Sequence, residues 1–149
     1  MPAADGSVER VAQQVVAQIG ELVDADRVSL ALYNKTDDAL SIVATHGYPH
    51  GDVADVRIAP GAWVMGHVYS QARPLFVSDV RLFPGTRREQ YRTHSFAAVP
   101  LIAGSEILGV LAVTERRDGS AFSRDDETGL RGMGLVAALA VVAARSKSG

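Results

Sequence analysis

The sequence lacks cysteine, an excess of basic residues and any long apolar run, and each absence removes a class of function. With no cysteine among 149 residues, disulfide scaffolds, thiolate zinc sites, cysteine nucleophiles and thioether-linked cofactors are excluded. Fifteen Lys and Arg against 17 Asp and Glu give a net charge of −2, which argues against nucleic-acid binding as a main role. The longest apolar run, residues 134–144, is too short to cross a bilayer.

The apolar residues that are present suffice for one folded domain. They make up 47% of the chain, which excludes general disorder and predicts a single domain over residues 1–149 with its core at about 8–144. The N-terminus has neither the basic region nor the apolar stretch of a signal peptide, so we expect a cytoplasmic protein without membrane insertion. The polar tail at 145–149 is typical of a truncation, so we expect one module of a longer protein.

Helices are predicted at both ends of the chain. Ser7 is the predicted N-cap of the first, which runs to about Val23, and Ser123 caps the second, over residues 124–144. The first helix has aliphatic residues at steps of three and four, and further apolar residues that widen the stripe: Val8, Val11, Val15, Ile19 and Leu22, then Ala12, Val16 and Val23. Residues 136–144 are apolar nearly all round. A helix with one buried face does not need an apolar stripe of this width. The width therefore favours contact with a partner helix, with burial of the whole stripe inside one subunit as the alternative.

Four alternating segments predict an antiparallel sheet. They are residues 28–33, 40–45, 96–102 and 107–114, paired as two hairpins. Shorter elements are expected between them: an extended piece at 56–58, a helix at 62–72 and a strand at 75–77. Pro100 cannot donate to a ladder and should lie at an edge or a bulge. The polar segment 79–94 contains Pro84-Gly85 and is expected to be the most mobile internal segment. The order predicts an α+β fold with the terminal helices together on one face of the sheet.

Several motifs, in this order and spacing, resemble those of a GAF domain. They are Pro-Gly at 60–61, Gly-His-Val-Tyr at 66–69, Arg-Pro-Leu-Phe-Val-Ser-Asp-Val at 73–80, Tyr-Arg-Thr-His-Ser-Phe-Ala-Ala-Val-Pro-Leu at 91–101, Gly-Val-Leu-Ala-Val at 109–113 and Phe-Ser-Arg-Asp-Asp at 122–126. The resemblance covers residues 8–144. It implies a PAS-related, six-stranded antiparallel sheet with helices on one face and a lidded pocket on the other. It also implies a sensory module of signalling proteins, and the fold alone leaves its ligand undetermined.

The ligands of known GAF domains can be tested against this chain. Covalent bilin needs a cysteine thioether and is excluded, as is the cysteine-based methionine-sulfoxide reductase branch. Members that bind cyclic nucleotides share Asn-Lys followed by Phe-x-x-x-Asp-Glu. The second half is present at 122–127, but the position before it reads Thr-Glu-Arg at 114–116, and the Asn-Lys at 34–35 is misplaced. Cyclic nucleotide and haem therefore stay as minor alternatives, with no confident cofactor.

The acidic pair Asp126 and Glu127 has a simpler explanation. Acids are favoured in the first turn of a helix, where they face the positive end of its dipole. We therefore expect a structural role for both, with Asp126 paired to Arg116 or Arg117.

The pocket that the resemblance implies has a tentative set of lining residues: Trp63, His67, Ser78, Asp79, Tyr91, His94, Ser95, Phe96 and Thr114. For Trp63 the alternatives are an aromatic wall for a planar ligand and a plug in the core. His67 and His94 are the candidate haem ligands, although a half-buried helix residue is the simpler interpretation of His67. Arg87, Arg88, Arg92 and His94 could hold an anion, or form a solvated loop face.

Neither metal binding nor enzyme chemistry has a supporting motif. His46 and His50 are four apart, but Gly47 and Pro49 prevent the helix that would align them, so we expect no metal site. His94-Ser95 would point to opposite faces of a strand, and no nucleophile-elbow motif is present. We expect a non-enzymatic module that dimerises through its terminal helices and binds a small molecule. The alternatives are a purely structural dimerisation connector and a haem or cyclic-nucleotide receptor.

Overall fold

A computed structural model describes residues 6–77, 95–118 and 120–148. Its helices and strands, in chain order, are α1 (Ser7–Leu22), β1 (Ala25–Asn34), β2 (Ala39–His46), β3 (Arg57–Ile58), α2 (Trp63–Gln71), β4 (Leu75–Val77), β5 (Phe96–Ala103), β6 (Glu106–Arg116) and α3 (Glu127–Ser148). Short 3-10 turns lie at His50–Asp52 and Arg124–Asp126. The predicted mobile segment, residues 79–94, lies outside the described residues.

The strands form one six-stranded antiparallel sheet in the order β3-β2-β1-β6-β5-β4. All four predicted major strands are confirmed, as are the short strand at 75–77 and the extended piece that becomes β3. The central pair is β1 with β6, which places Arg27 opposite Thr114 and Ser29 opposite Ala112. This register decides which side chains share a face, because successive residues of a strand alternate between the two faces.

The terminal helices pack together on one face of the sheet, as predicted. Their contact with it is the main core, which contains Val28 and Leu30 from β1 and Leu111 and Val113 from β6. Four residues from the apolar run of α3 lie in this core: Ala137, Ala138, Val141 and Ala144. By length and composition alone, Arg124–Ser146 is long and apolar enough to cross a membrane, and a third of its apolar window is buried inside the domain.

Two expectations for α1 are wrong. Gly6, with a φ of 68°, stands at the N-cap without a side-chain bond, and Ser7 is already the first helical residue. The buried stripe is Ala12, Val16 and Ile19, whereas Leu22 is exposed. Ala12 and Val16, predicted as excess width, are therefore on the core-facing side of α1, because the helix packs with one side of its wide apolar stripe and leaves Leu22, on the other side of that stripe, in solvent.

The start of α3 agrees with the prediction. Ser123 forms a capping box with Asp126, in which the Ser123 N–H donates to the carboxylate of Asp126 at 2.9 Å. The other oxygen of that carboxylate lies 2.7 Å from the Arg116 guanidinium, the ion pair anticipated as one of two alternatives. Arg117 instead lies near three acids of the α1–β1 corner: Glu21, Asp24 and Asp26.

α2 lies on the opposite face of the sheet, where Met65 and Val68 build a second, smaller core with Ala31 and Val110. Gly66 allows the close approach of this helix to the preceding turn. A Cβ at this position would lie 2.4 Å from the carbonyl oxygen of Ala59, which no side chain tolerates without a shift of the backbone. The glycine of the Gly-His-Val-Tyr motif is thus required by packing.

The exposed edges of the sheet are partly closed by side chains. On β2, the amide of Gln13 bonds both backbone groups of Thr45, and His50 Nε2 donates to the carbonyl of Ile42 at 2.6 Å. On β5, Pro100 lies beyond the three residues that pair with β4, so its missing N–H falls at an edge, as predicted.

Candidate functional site

The candidate site is the sheet face opposite the terminal helices, which we call the second face. Two cross-strand rows of side chains cross it, of which one is partly in the second core under α2, through Ala98, and the other lies one step further along the strands. The polar row, from β1 to β4, is Arg27, Thr114, Phe96 and Val77, and the small row, from β2 to β4, is Thr45, Ser29, Ala112, Ala98 and Leu75. Both rows face away from α1 and α3, because their strand neighbours Val28, Val113 and Ala97 lie in the main core.

Arg27 is positioned by an aromatic neighbour. Its guanidinium carbon lies 5.5 Å from the centre of the Tyr48 ring, a cation–π distance. Burial raises the pKa of the Tyr48 hydroxyl, and hydrogen bonding with Ser29 and the charge of Arg27 partly oppose this shift. The turn that carries Tyr48 is itself fixed, because the buried hydroxyl of Thr45 donates to the Tyr48 carbonyl at 2.7 Å.

A second aromatic group lies at the other end of this face. Tyr33 of β1 and Tyr69 of α2 stack with ring centres 4.9 Å apart and an angle of 15°. The Tyr33 hydroxyl donates to Asp38 at 2.6 Å, and this bond raises the pKa of Tyr33 to about 12. Two aromatic residues thus close the α2 end of the face, and the cationic group lies at the opposite end.

Three of the predicted site residues lie where β5 and β6 meet. Phe96 and Thr114 are direct partners in the polar row; Phe96 is buried and Thr114 is half-buried. Ser95 is buried, and its hydroxyl accepts a hydrogen bond from the backbone N–H of Phe122 at 2.7 Å. Ser95 therefore anchors the segment before α3.

Two more predicted residues lie on α2. Trp63 is 51% exposed, so the interpretation of this ring as a plug in the core is wrong. It begins the helix with a φ of 52°, in the left-handed region that bulky side chains rarely adopt. His67 is a half-buried helix residue, the simpler of its two interpretations. The remaining predicted residues, Ser78, Asp79, Tyr91 and His94, lie outside the described residues, as do Arg87, Arg88 and Arg92.

The described residues contain no group of three or more His, Asp or Glu side chains that could hold a metal. His50 uses one ring nitrogen on the β2 edge, and the ring of His46 lies against Gly20 of α1. The histidines at 46 and 50 therefore have separate structural surroundings.

Sequence reasoning missed Arg27, Ser29 and Tyr48. The signal for the first two was available in the alternation of β1: once Val28 and Leu30 were assigned to the helix side, their neighbours had to face the other way. Tyr48 lies in an irregular turn, where neither period nor motif predicts the direction of a side chain.

Comparison with known proteins identifies the family. The GAF domain profile matches residues 7–141 of the chain. This protein belongs to the GAF domain family. It is 28% identical over 137 residues to a cone cGMP-specific 3′,5′-cyclic phosphodiesterase subunit alpha′ from Bos taurus, which covers 82% of the chain. The chain spans only 16% of that subunit.

Solved structures have the same fold. The GAF domain of a phosphoenolpyruvate-protein phosphotransferase from Coxiella burnetii matches with a TM-score of 0.80 and 24% identity, covering 94% of this chain and 85% of its own. A free methionine-R-sulfoxide reductase from Neisseria meningitidis matches with a TM-score of 0.79 and 21% identity, covering 97% of this chain and 84% of its own. The second GAF domain of DevS from Mycobacterium smegmatis matches with a TM-score of 0.75 and 20% identity, covering 99% of this chain and 97% of its own.

Family membership fixes a coarse function. The GAF domain is a sensory or regulatory module found in signalling proteins. Some proteins with this fold are enzymes, since free methionine-R-sulfoxide reductases are among the solved structures that match. In this GAF domain the acids of the Phe-x-x-x-Asp-Glu pattern have structural partners: Asp126 caps α3 and pairs with Arg116, and Glu127 bonds Arg131 at 2.8 Å.

Proposed function

We propose that this GAF domain is a non-enzymatic sensor that binds a small molecule on its second face and relays the signal through a homodimer of its terminal helices. The observation that carries the proposal is an apolar stripe on the outer side of α3. Its four large side chains are Leu135, Val136, Leu139 and Val142, exposed by 54%, 56%, 56% and 39%. They follow at steps of one, three and three residues and so share one side of the helix.

A second copy of the same stripe is the partner that fits this surface. Fully burying a large aliphatic side chain stabilises by about 1.5–3 kcal/mol, and four half-exposed ones lie together here. A two-fold dimer places each stripe against its twin, so every contact counts twice. α1 contributes less than its sequence suggested, because Ala12 and Val16 are core residues and only Leu22 remains as a large exposed side chain.

The helices and the second face are linked through β5. Gly134 of α3 lies so close to this strand that an added Cβ would approach Val99 Cγ2 to 3.1 Å and the Pro100 carbonyl to 3.3 Å. The same strand presents Phe96 and Ala98 to the second face. A ligand that displaces β5 would therefore move α3, which is the kind of small helix shift that interfaces amplify.

The non-enzymatic part of the proposal rests on composition. The chain has no cysteine, the residue that the reductase chemistry of related folds needs. Cyclic-nucleotide binding, suggested by the name of the phosphodiesterase relative, and haem binding are kept as outcomes of the ligand test below.

The dimer is tested with Leu139→Glu. Because Leu139 faces outward, we expect a folded monomer, with a helical circular dichroism spectrum unchanged and the mass by light scattering halved. Trp63→Glu is the matched control, since it places the same charge at a similarly exposed apolar residue on α2 and should leave the dimer intact. A wild-type domain that stays monomeric at high concentration with both helices folded would refute the dimer.

The ligand is tested on protein purified from cells. Native mass spectrometry and the absorbance spectrum separate the alternatives: a Soret band identifies haem, and a mass shift that matches a nucleotide identifies that class. A dimer with no added mass under any condition contradicts ligand sensing and supports the purely structural connector.

A further inference from the structure

We propose that Tyr33 and Tyr69 form an oxidative modification site, at which a one-electron oxidant joins the two rings of one chain by a dityrosine cross-link. The proposal goes beyond the proposed function and does not depend on it, because it needs neither a ligand on the second face nor a dimer. It gives a chain without cysteine a defined chemical response to oxidants.

The composition of the chain directs oxidants to aromatic side chains. Thiolates are the groups that oxidants usually attack, and this chain has no cysteine to supply one. It has four tyrosines and one tryptophan, and phenol and indole rings are the side chains that next most readily lose a single electron. The position of the tyrosines relative to one another therefore decides what the oxidised chain becomes.

The fold holds two of the tyrosine rings in contact. The ring centres of Tyr33 and Tyr69 are 4.9 Å apart and their planes differ by 15°, which is an offset stack with facing carbons in van der Waals contact. Tyr33 belongs to β1 and Tyr69 to α2, and both rings pack against the second core. Radicals formed on these two rings therefore meet without diffusion.

Tyr33 has an acceptor for its proton. A phenol becomes strongly acidic when it loses an electron, so the oxidation is easier when a base takes the proton in the same step. The Tyr33 hydroxyl donates to the Asp38 carboxylate at 2.6 Å. This bond raises the pKa of Tyr33 to about 12, so the phenol keeps its proton at neutral pH until it is oxidised. The contact with Asp38 makes Tyr33 the first ring of the pair to react.

The surroundings of the pair favour a link inside one chain. Both rings are half-buried, so a small oxidant reaches their edges while the stacked faces are shielded from other molecules. Tyr48 lies at the opposite end of the second face, beside the Arg27 guanidinium. Arg27 and Tyr33 are six residues apart on β1, which corresponds to about 20 Å along a strand. Tyr48 is therefore too distant to replace either member of the pair.

The reaction balances with two equivalents of a one-electron oxidant, such as a radical derived from a peroxide. Each phenol gives one electron to the oxidant, which is reduced. The proton of Tyr33 passes to Asp38 and then to water, and the proton of Tyr69 passes to water. The two phenoxyl radicals form one C–C bond between ring carbons adjacent to the C–O carbons, and the hydrogen of each such carbon then moves to the oxygen. Two C–H bonds are replaced by one C–C bond, and two electrons and two protons leave.

The cross-link would fix α2 to the sheet. It closes a loop in which 35 residues separate Tyr33 from Tyr69. A covalent link across such a loop stabilises mainly by restricting the unfolded chain, as a disulfide does. The linked domain should therefore unfold at a higher urea concentration than the untreated domain, with α2 held over the second core.

The whole domain is oxidised with photo-excited ruthenium tris-bipyridine and persulfate, a small one-electron oxidant. We expect dityrosine fluorescence, and peptide mass spectrometry should find the peptides of Tyr33 and Tyr69 joined with the loss of two hydrogens. A mixture of isotope-labelled and unlabelled domain should give links within one isotope only. Links between isotopes, or oxygen added to the exposed Trp63 while Tyr33 and Tyr69 stay unlinked, would overturn the proposal.

Variants assign the link to this pair. Tyr33→Phe and Tyr69→Phe should each abolish it with an unchanged circular dichroism spectrum, because phenylalanine keeps the stacked ring. Tyr48→Phe is the matched control and should give the wild-type yield. A cross-link that persists in Tyr33→Phe, or one that is lost in Tyr48→Phe, contradicts the assignment.

The role of Asp38 is tested by the rate of the reaction. Asp38→Asn keeps an oxygen that accepts the hydroxyl bond but removes the base, so cross-linking should become several-fold slower. Asp37→Asn changes the exposed neighbour in the same turn and should react at the wild-type rate. Equal rates for Asp38→Asn and wild type would refute Asp38 as the proton acceptor.

Discussion

The hydroxyl of Ser95 accepts a hydrogen bond from the backbone N–H of Phe122, at 2.7 Å and away from solvent. These residues are 27 positions apart, and the bond joins the start of β5 to the segment that precedes α3. Phe122 is buried in the main core, and the Arg116 guanidinium carbon lies 4.2 Å from the centre of its ring. The contact therefore fixes where the chain turns from the sheet into the helix that bears the exposed stripe.

Ser95→Ala should destabilise the domain by about 1–3 kcal/mol, because the buried Phe122 N–H would lose its acceptor. Ser120→Ala is the control: its hydroxyl bonds Asp118 at an exposed position, and we expect almost no change. Urea unfolding followed by circular dichroism measures both. Equal stability of wild type and Ser95→Ala would mean that water replaces the hydroxyl at no cost.

Asp126→Ala should cost about 1–3 kcal/mol, since it removes half of the capping box and the partner of Arg116. Asp126→Asn keeps an acceptor for the Ser123 N–H and should recover part of the loss. Asp125→Ala is the neighbouring control, because Asp125 contributes its backbone rather than its carboxylate to the cap. Thermal unfolding of the three variants in parallel gives the comparison, and equal losses at 125 and 126 would contradict a specific cap.

The pKa of Tyr33 should be visible in an alkaline titration. The Asp38 bond raises it from 10 to about 12. Between these pH values the folded state binds more protons than the unfolded one, so the stability from this bond is complete below pH 10 and is lost as pH rises through 12. Phenolate absorbance should show Asp38→Asn bringing this pKa down towards 10. Asp37→Asn, which breaks only the exposed pair with Arg57, should leave it unchanged.

Two glycines should respond to alanine in opposite directions. Gly66→Ala should destabilise the domain by about 1–3 kcal/mol, because the new Cβ meets the Ala59 carbonyl. Gly129→Ala in α3 has open space and should stabilise by about 0.5–1 kcal/mol through helix propensity. Denaturant midpoints of the two variants, on opposite sides of wild type, are the expected result. A stabilising Gly66→Ala would contradict the close contact between α2 and the turn before it.

The sequence predicted the elements better than it predicted which side of each element is used. Alternation located β1, β2, β5 and β6, and the acids after Ser123 located the start of α3, because both signals are local. The contact line of α1 could not be predicted, since its apolar stripe is wider than the contact and only packing against the sheet decides which side of the stripe is buried.

The site was less predictable than the fold for a related reason. Ser95 and Thr114 belong to recognisable motifs, but whether a hydroxyl faces a ligand or a backbone N–H depends on a segment 27 residues away. Arg27 belongs to no recognisable motif, and only the pairing of β1 with β6 places it opposite Thr114 on the second face. Register between strands is a tertiary property, which no single segment encodes.

The partly closed edges of the sheet have a consequence for how copies of this domain meet. An open strand edge is a template that any other extended chain can join, and such growth has no natural end. Here Gln13 and His50 occupy backbone groups of β2, and Pro100 interrupts the row of donors on β5. Strand-by-strand polymerisation is blocked at these positions. The dimer proposed above would instead use a helical surface that saturates at two copies, so we expect crowded molecules to form finite pairs and no fibrils.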